Sequence, residues 1–349
     1  MTELTGRQYM ISALKRQHAD RLPATVLIGP YCAKLAGFSV EDILKDARKS
    51  AQAHMAFYER FHPDSLVIYN DIYIEVEAMG AQLDFYEDRI SHLRGPMIEN
   101  PADLARLKVP DPARDGRFPY FLELCDRVAG VVKRTATMGL GQSGPWNLAN
   151  HLRGTERLLV DDVMDEPDFV HELMRFTTEV VRTLGDALIA AGHVPSLGEA
   201  TASCSLISPK IYREFIKPYH KELCEYFLAK GAPMSLHICG YIDPIIPDVL
   251  ETGVNFISLD APSSLPKLVE LADGRIIIMG NVPTSLFADG GKADMEKAID
   301  SCLEAAAAGG GYILCSGCEI PYNSTEDRID HFFEYGRRAG RDFLAKLKD

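Results

Sequence analysis

Short apolar runs, each ended by a glycine or a polar cluster and followed by a longer stretch with helical spacing, recur along the chain. Eight such runs fall at 24–29, 65–69, 136–141, 193–198, 234–239, 254–259, 275–280 and 312–315. They are apolar throughout rather than alternating, which is how strands covered on both faces of a parallel sheet read. Helical patterns occupy the intervals, as at 162–191, 209–230 and 295–308. Eight strand-then-helix units predict an α/β fold, a (β/α)8 TIM barrel. A doubly wound open sheet is the competing architecture; the one Gly-x-Gly-x-x-Gly string, at 139–144, begins inside the run 136–141 rather than after it. Residues 1–20 read as an amphipathic helix ahead of the first strand. The stretch 71–135 is too long for one crossover and predicts a hairpin or cap over the mouth, with 102–114 a short helix closed by prolines. No repeat, low-complexity tract or linker divides residues 1–349, so one domain is expected.

Composition narrows the function. Hydrophobic residues at 46% and charged residues at 25% fit a globular chain with a sizeable core and exclude disorder. Lys and Arg total 37 against 50 Asp and Glu, for a net charge of -13, which opposes nucleic acid and anionic membrane surfaces as partners. No apolar run approaches the roughly 20 residues that span a bilayer. The first residues lack the apolar core of a signal peptide, so a soluble, cytoplasmic protein is expected. In a reducing compartment the eight cysteines are core filler or chemically employed rather than disulfide-bonded.

Barrel chemistry sits at the carboxyl ends of strands. Reading off those ends yields Tyr31 and Cys32, Asn70 and Asp71, Gln142 and Ser143, Glu199, His237 and Cys239, Asp260, Asn281, Cys315 and Cys318. His237-Ile238-Cys239 is the sharpest local feature, because residues two apart on a strand share a face and can converge on one ion. A third soft ligand comes from the last strand, where Cys318 in a Gly-Cys-Glu turn is preferred to Cys315 inside the apolar run. One imidazole and two thiolates select Zn²⁺, and three protein ligands with a fourth position open mark a catalytic rather than a structural site. Glu199 is the candidate for that fourth position. The bland alternative makes His237 a core histidine and the cysteines apolar packing.

The chain resembles the uroporphyrinogen decarboxylase superfamily. The similarity is carried by GQSGPWNLA at 141–149, ISPKIYREF at 207–215 with Lys217-Pro218, and MGNVP at 279–283. Within it, LHICG at 236–240 and SGCEIP at 316–321 look like the corrinoid-dependent methyltransferase branch, whose His-x-Cys and distant Cys zinc motif falls on His237, Cys239 and Cys318. The true decarboxylases differ. Their arginine-rich signature should follow the first strand, where this chain reads GPYCAK at 29–34. Their tyrosine after the Gly-Pro-aromatic segment is His151 here, and the histidine of their last loop is Cys318. Asp71 does match their catalytic aspartate.

The resemblance implies a single uroporphyrinogen decarboxylase-like barrel and a zinc-dependent methyltransferase. Such an enzyme moves a methyl group between a corrinoid (cobalamin) and a zinc-activated thiol or a methoxy compound. Glu199 and Asp71 are the expected catalytic carboxylates, and Tyr73, Gln142, Trp146, His151 and Asn281 the expected contacts to substrate or corrin. The chain lacks the Asp-x-His-x-x-Gly of cobalamin-binding domains, so a separate corrinoid protein is the expected partner. A homodimer is implied as well. The alternatives are a lyase of the decarboxylase type and a non-catalytic tetrapyrrole- or corrinoid-binding protein.

Overall fold

The computed structural model describes residues 4–347. Its strands, in chain order, are β1 (Ser65–Ile68), β2 (Leu83–Asp84), β3 (His92–Leu93), β4 (Thr137–Ser143), β5 (Pro195–Gly198), β6 (Ser235–Ile238), β7 (Phe256–Leu259), β8 (Ile277–Val282) and β9 (Tyr312–Ser316). Seven of them form one sheet in the order β1-β4-β5-β6-β7-β8-β9, every pairing parallel. A helix follows most strands, as the βαβ rule requires. The antiparallel pair β2–β3 lies in the long excursion after β1, where the length of the crossover placed a hairpin. The short helix expected at 102–114 is a single 3₁₀ stretch, Pro101–Arg106.

The first apolar run departs from expectation. Residues 24–29 form no ladder; Ala24 and Leu27 make isolated parallel bridges to Leu314 and Glu319. The Thr25 N–H donates to Leu314 O at 2.9 Å, and Asp64 N–H donates to Ala24 O at 3.0 Å, so the segment lies between β9 and β1. Its own sequence limits the pairing. Pro23 and Pro30 bracket the run and bring no N–H. The Thr25 side chain takes Ser65 O at 2.6 Å, a carbonyl that a backbone donor would otherwise use. Gly29, at φ 53°, then turns the chain away.

Two apolar layers follow from the alternation of strand side chains. Outward residues such as Leu236, Ile257 and Leu314 pack into the main core with the surrounding helices. Ile277, Met279, Ile313 and Cys315 form a smaller cluster with Met10 and Ala13 on what we call the inner face. Met10 and Ala13 belong to the helix Gly6–Leu14; of the 1–20 expected, residues 1–3 lie outside the described residues and 15–20 are not helical. A capping box starts it: Gln8 N–H donates to Thr5 Oγ1 and Thr5 N–H to Gln8 Oε1. Among the described residues no helix is long and apolar enough to cross a membrane.

Candidate metal centre at the carboxyl ends of the strands

On β6 the inner face carries Ser235 and His237, and Cys239 follows two residues on. Ser235 Oγ lies 2.5 Å from Ser196 Oγ of β5, which fixes the phase of both strands. His237 Nδ1 sits 3.1 Å from both the carbonyl and the Oγ of Ser258 on β7. Its other nitrogen, Nε2, faces Cys239 Sγ at 3.2 Å, and Cys239 Sγ faces Cys318 Sγ at 3.7 Å. The ligand atoms of His237, Cys239 and Cys318 all lie within 4.8 Å of one another, and all three residues are half-buried. The structure therefore brings the three together. It leaves Cys315 behind: that side chain is fully buried in the inner-face cluster, and burial pushes its thiol up to about 12.

The neighbouring backbone explains the convergence. Gly240, at φ 77°, reverses the chain directly after Cys239. A side chain on Gly317 would meet Ala261 N at 2.7 Å, so only glycine lets the Cys318 turn sit against the end of β7. Asp260 ties the two loops, accepting from Gly240 N–H at 2.6 Å and Ala261 N–H at 2.7 Å. Contact with Cys239, together with burial, pushes the Cys318 thiol well up. Burial works against a charged His237 ring, but Cys318, Asp260 and the Ser258 carbonyl outweigh it, and its pKa is raised.

These donors fit zinc. Two thiolates at tetrahedral angles on Zn²⁺ stand about 3.8 Å apart, and a thiolate and an imidazole nitrogen about 3.5 Å, from the usual bond lengths. The Sγ–Sγ distance of 3.7 Å and the Nε2–Sγ distance of 3.2 Å fall within a few tenths of those values. The contact of Nδ1 with Ser258 also leaves Nε2 free to act as the ligand atom.

The remaining predicted residues divide. Glu199 is wholly buried and does not join the three ligands. Its oxygens accept from Trp146 N–H at 3.1 Å and Asn147 N–H at 2.8 Å, at the start of the helix Pro145–Arg153, and Oε1 lies 3.0 Å from His220 Nε2. A helix N-terminus is a good seat for an anion, which is why the carboxylate settles there and not at the thiolates. Asp71 is engaged too: Ser91 Oγ bonds both its oxygens, Tyr73 N–H donates at 3.1 Å, and Arg117 pairs with it at 2.7 Å.

Three expected ligand contacts point elsewhere. Gln142 faces outward, its amide reaching Val181 O at 3.5 Å beneath the helix Pro167–Ala190, because β4 turns Gly141 rather than Gln142 to the inner face. Trp146 is fully buried and its indole N–H donates to Thr201 O at 3.2 Å, so it offers no face to a corrin. Asn281 donates to Asp260 O at 3.2 Å and Ser263 O at 2.9 Å and serves to bind loops together.

Tyr73 and His151 remain available. Their rings lie 4.6 Å apart, both are half-buried, and His151 Nδ1 has no partner. Burial lowers the His151 pKa to about 4. Sequence reasoning missed Ser258, His220 and Arg117. Only Ser258 carried a signal, the inner-face phase of β7. An open groove lined by Pro101, Leu104, Phe169, His171 and Arg175 lies elsewhere, and no predicted site residue borders it.

Comparison with known proteins agrees with this architecture. The chain is 28% identical over 307 residues to a uroporphyrinogen decarboxylase of Prochlorococcus marinus, covering 83% of this chain and 82% of that protein. It is 29% identical over 221 residues to a methylated-thiol–coenzyme M methyltransferase of Methanosarcina mazei, covering 62% of this chain and 57% of the relative. A solved methyltransferase structure from Methanosarcina mazei superposes with a TM-score of 0.85 at 22% identity, across 98% of this chain and 100% of the other, which shows a shared fold. The family model for uroporphyrinogen decarboxylase (URO-D) matches residues 5–339, and the chain belongs to that family.

Proposed function

We propose that this protein is a zinc-dependent methyltransferase that moves a methyl group between a corrinoid, held by a separate protein, and a thiol or methoxy-bearing small molecule. We infer with it that residues 24–29 and the seven strands close as one (β/α)8 barrel domain, the corrinoid protein docking over its carboxyl end. The observation that carries the reading is the convergence of His237 Nε2 with the sulfurs of Cys239 and Cys318 at a strand-end mouth.

Zinc at these atoms would make a bound thiol a thiolate at neutral pH, or act as a Lewis acid on an ether oxygen. The chain's own residues do the positioning. Ser258 holds the His237 tautomer, and Asp260 and Gly317 set the loops that present the two cysteines. Tyr73 and His151 offer a ring pair to the substrate body or the corrin edge. Asp71, held by Arg117 and Ser91, fixes the end of β1 beside them. A decarboxylase reading finds support in the Prochlorococcus relative. It also requires cations for an anionic substrate, and GPYCAK at 29–34 supplies one lysine and no arginine.

The test is direct. Zinc-loaded protein, given methylcobalamin and a panel of thiols, is expected to demethylate the corrinoid, as read by absorption. In the opposite direction, methoxylated compounds and reduced cognate corrinoid protein are the reactants. No transfer in either direction across a broad panel, with about one zinc bound per chain, would sink the reading.

A further inference from the structure

The inner face is unevenly filled. Around β8 and β9 it holds Ile277, Met279, Ile313 and Cys315. On β4 and β5 the equivalent positions near the mouth are Gly141, Ser196 and Gly198. Their phase is set by two observations: Gln142 points outward to Val181, and Ser196 meets Ser235, which shares a face with His237. Gly141 is in register with Ser196, and Gly198 with His237 itself. Neighbouring strands lie about 4.8 Å apart, so Gly198 adjoins the histidine of the metal centre.

Backbone geometry does not require either glycine. Neither has φ in the left-handed region, unlike Gly280 at φ 128°, where an added Cβ would strike Leu259 O at 2.5 Å. A Cβ on Gly141 would meet nothing within 4 Å, and one on Gly198 only Gln142 O at 3.8 Å. Glycine is a poor strand former, and in a strand interior it often marks close approach by a ligand. Here it leaves space beside the metal ligands that ordinary residues would fill without strain.

We propose that Gly141 and Gly198 form the wall against which the non-reacting body of the methyl-bearing substrate packs, and that they set how large that body can be. The proposal rests on the methyltransfer reading above. A wall of bare backbone is flat, which suits a planar group. The nearby inner positions Val67, Gly141, Ser143, Ser196, Gly198 and Ser235 bring no lysine or arginine. Arg117 is already paired with Asp71 and Glu77. A carboxylate or sulfonate on the body would find no counter-charge on these strands, and we therefore take the body to be uncharged.

Anisole, a flat neutral methyl ether, is the probe. Its binding to zinc-loaded wild type, Gly198→Val and Gly198→Ala is measured by ligand-observed NMR titration, with zinc content and circular dichroism as controls. We expect Gly198→Val to weaken anisole binding at least tenfold and Gly198→Ala about threefold, with zinc content unchanged. In turnover, Gly198→Ala should slow thiophenol several-fold more than it slows ethanethiol. Equal anisole affinity in wild type and Gly198→Ala, or no anisole binding to wild type up to its solubility, overturns the proposal. Anisole that binds as expected without methyl transfer from any substrate would instead count against the methyltransferase reading alone.

Discussion

Two polar clusters stand side by side at the ends of β5 and β6, joined by the Glu199 N–H donating to His237 O at 2.8 Å. Around Glu199, two helix amides, His220 and, through His220 Nδ1, the Tyr212 hydroxyl at 3.1 Å form a closed network. Around His237 the second nitrogen and two sulfurs have, among the described residues, only one another, in a half-buried setting. Buried polar groups that satisfy each other rigidify a fold. Soft donors converging without any other partner are poised to take an ion. The difference teaches that a carboxylate at a strand end and a histidine at the next can have unrelated surroundings, and that donors left without other partners mark the candidate metal centre.

The largest effect should come from opening the second cluster. Cys318→Ala is expected to weaken zinc binding by more than the roughly 10–100-fold cost of losing an outer-shell partner. Cys315→Ala should keep full affinity, both measured by competition with a chelating dye. Metal loss in Cys315→Ala instead would reassign the ligand. An intermediate case lies nearby in Glu75, buried with Oε1 taking Ser143 N–H at 2.7 Å and Oε2 unpartnered. Burial raises its pKa from 4.5 to about 7, with Ser143 opposing and Asp71 assisting. Because the folded value is the higher one, wild type should lose stability as pH rises from about 4.5 to about 7, by up to about 3 kcal/mol. Glu75→Gln should flatten that slope in urea melts across this window and stand above wild type at pH 8; parallel slopes would refute the assignment.

Closing the comparison from the other side, Glu199→Gln places an amide donor against the donors of Trp146 and Asn147. The expected cost is about 2 kcal/mol, a few degrees of melting temperature for a chain of this size, with zinc content unchanged. A variant that melts like wild type but loses zinc would return Glu199 to the metal centre.

Much of this was legible beforehand, for definable reasons. The runs at 136–141, 234–239 and 312–315 coincide with β4, β6 and β9 because strands buried on both faces must be apolar. The convergence of His237, Cys239 and Cys318 was legible because two residues apart on a strand share a face and Gly317-Cys318 directly follows another strand. What escaped depends on phase and on partners distant in sequence. Gln142 and Asn281 sit at strand ends yet turn to helices and loops, and nothing in their local sequence records which face is inner. Glu199 is claimed by amides more than fifty residues earlier and by a histidine twenty-one residues later. The run at 24–29 read as a strand because apolarity was visible, whereas its Ala24 and Leu27 N–H groups go to the side chains of Asp64 and Ser316 instead of to a ladder.

That weak seam has a consequence for how the molecule fails. Among the described residues, 23–27 are the backbone standing between β1 and β9, and a few hydrogen bonds hold them. Their anchor is electrostatic: Arg21 pairs with buried Asp64 at 2.6 Å, and Asp64 also accepts Ala24 N–H at 2.8 Å. Were that clasp lost, β1 and β9 would both become unprotected apolar edges, with open amides and carbonyls. Edges of that kind recruit strands from other molecules. Damage at the seam, at its far end from the cysteines, would therefore appear first as self-association on warming, well before the sheet itself came apart.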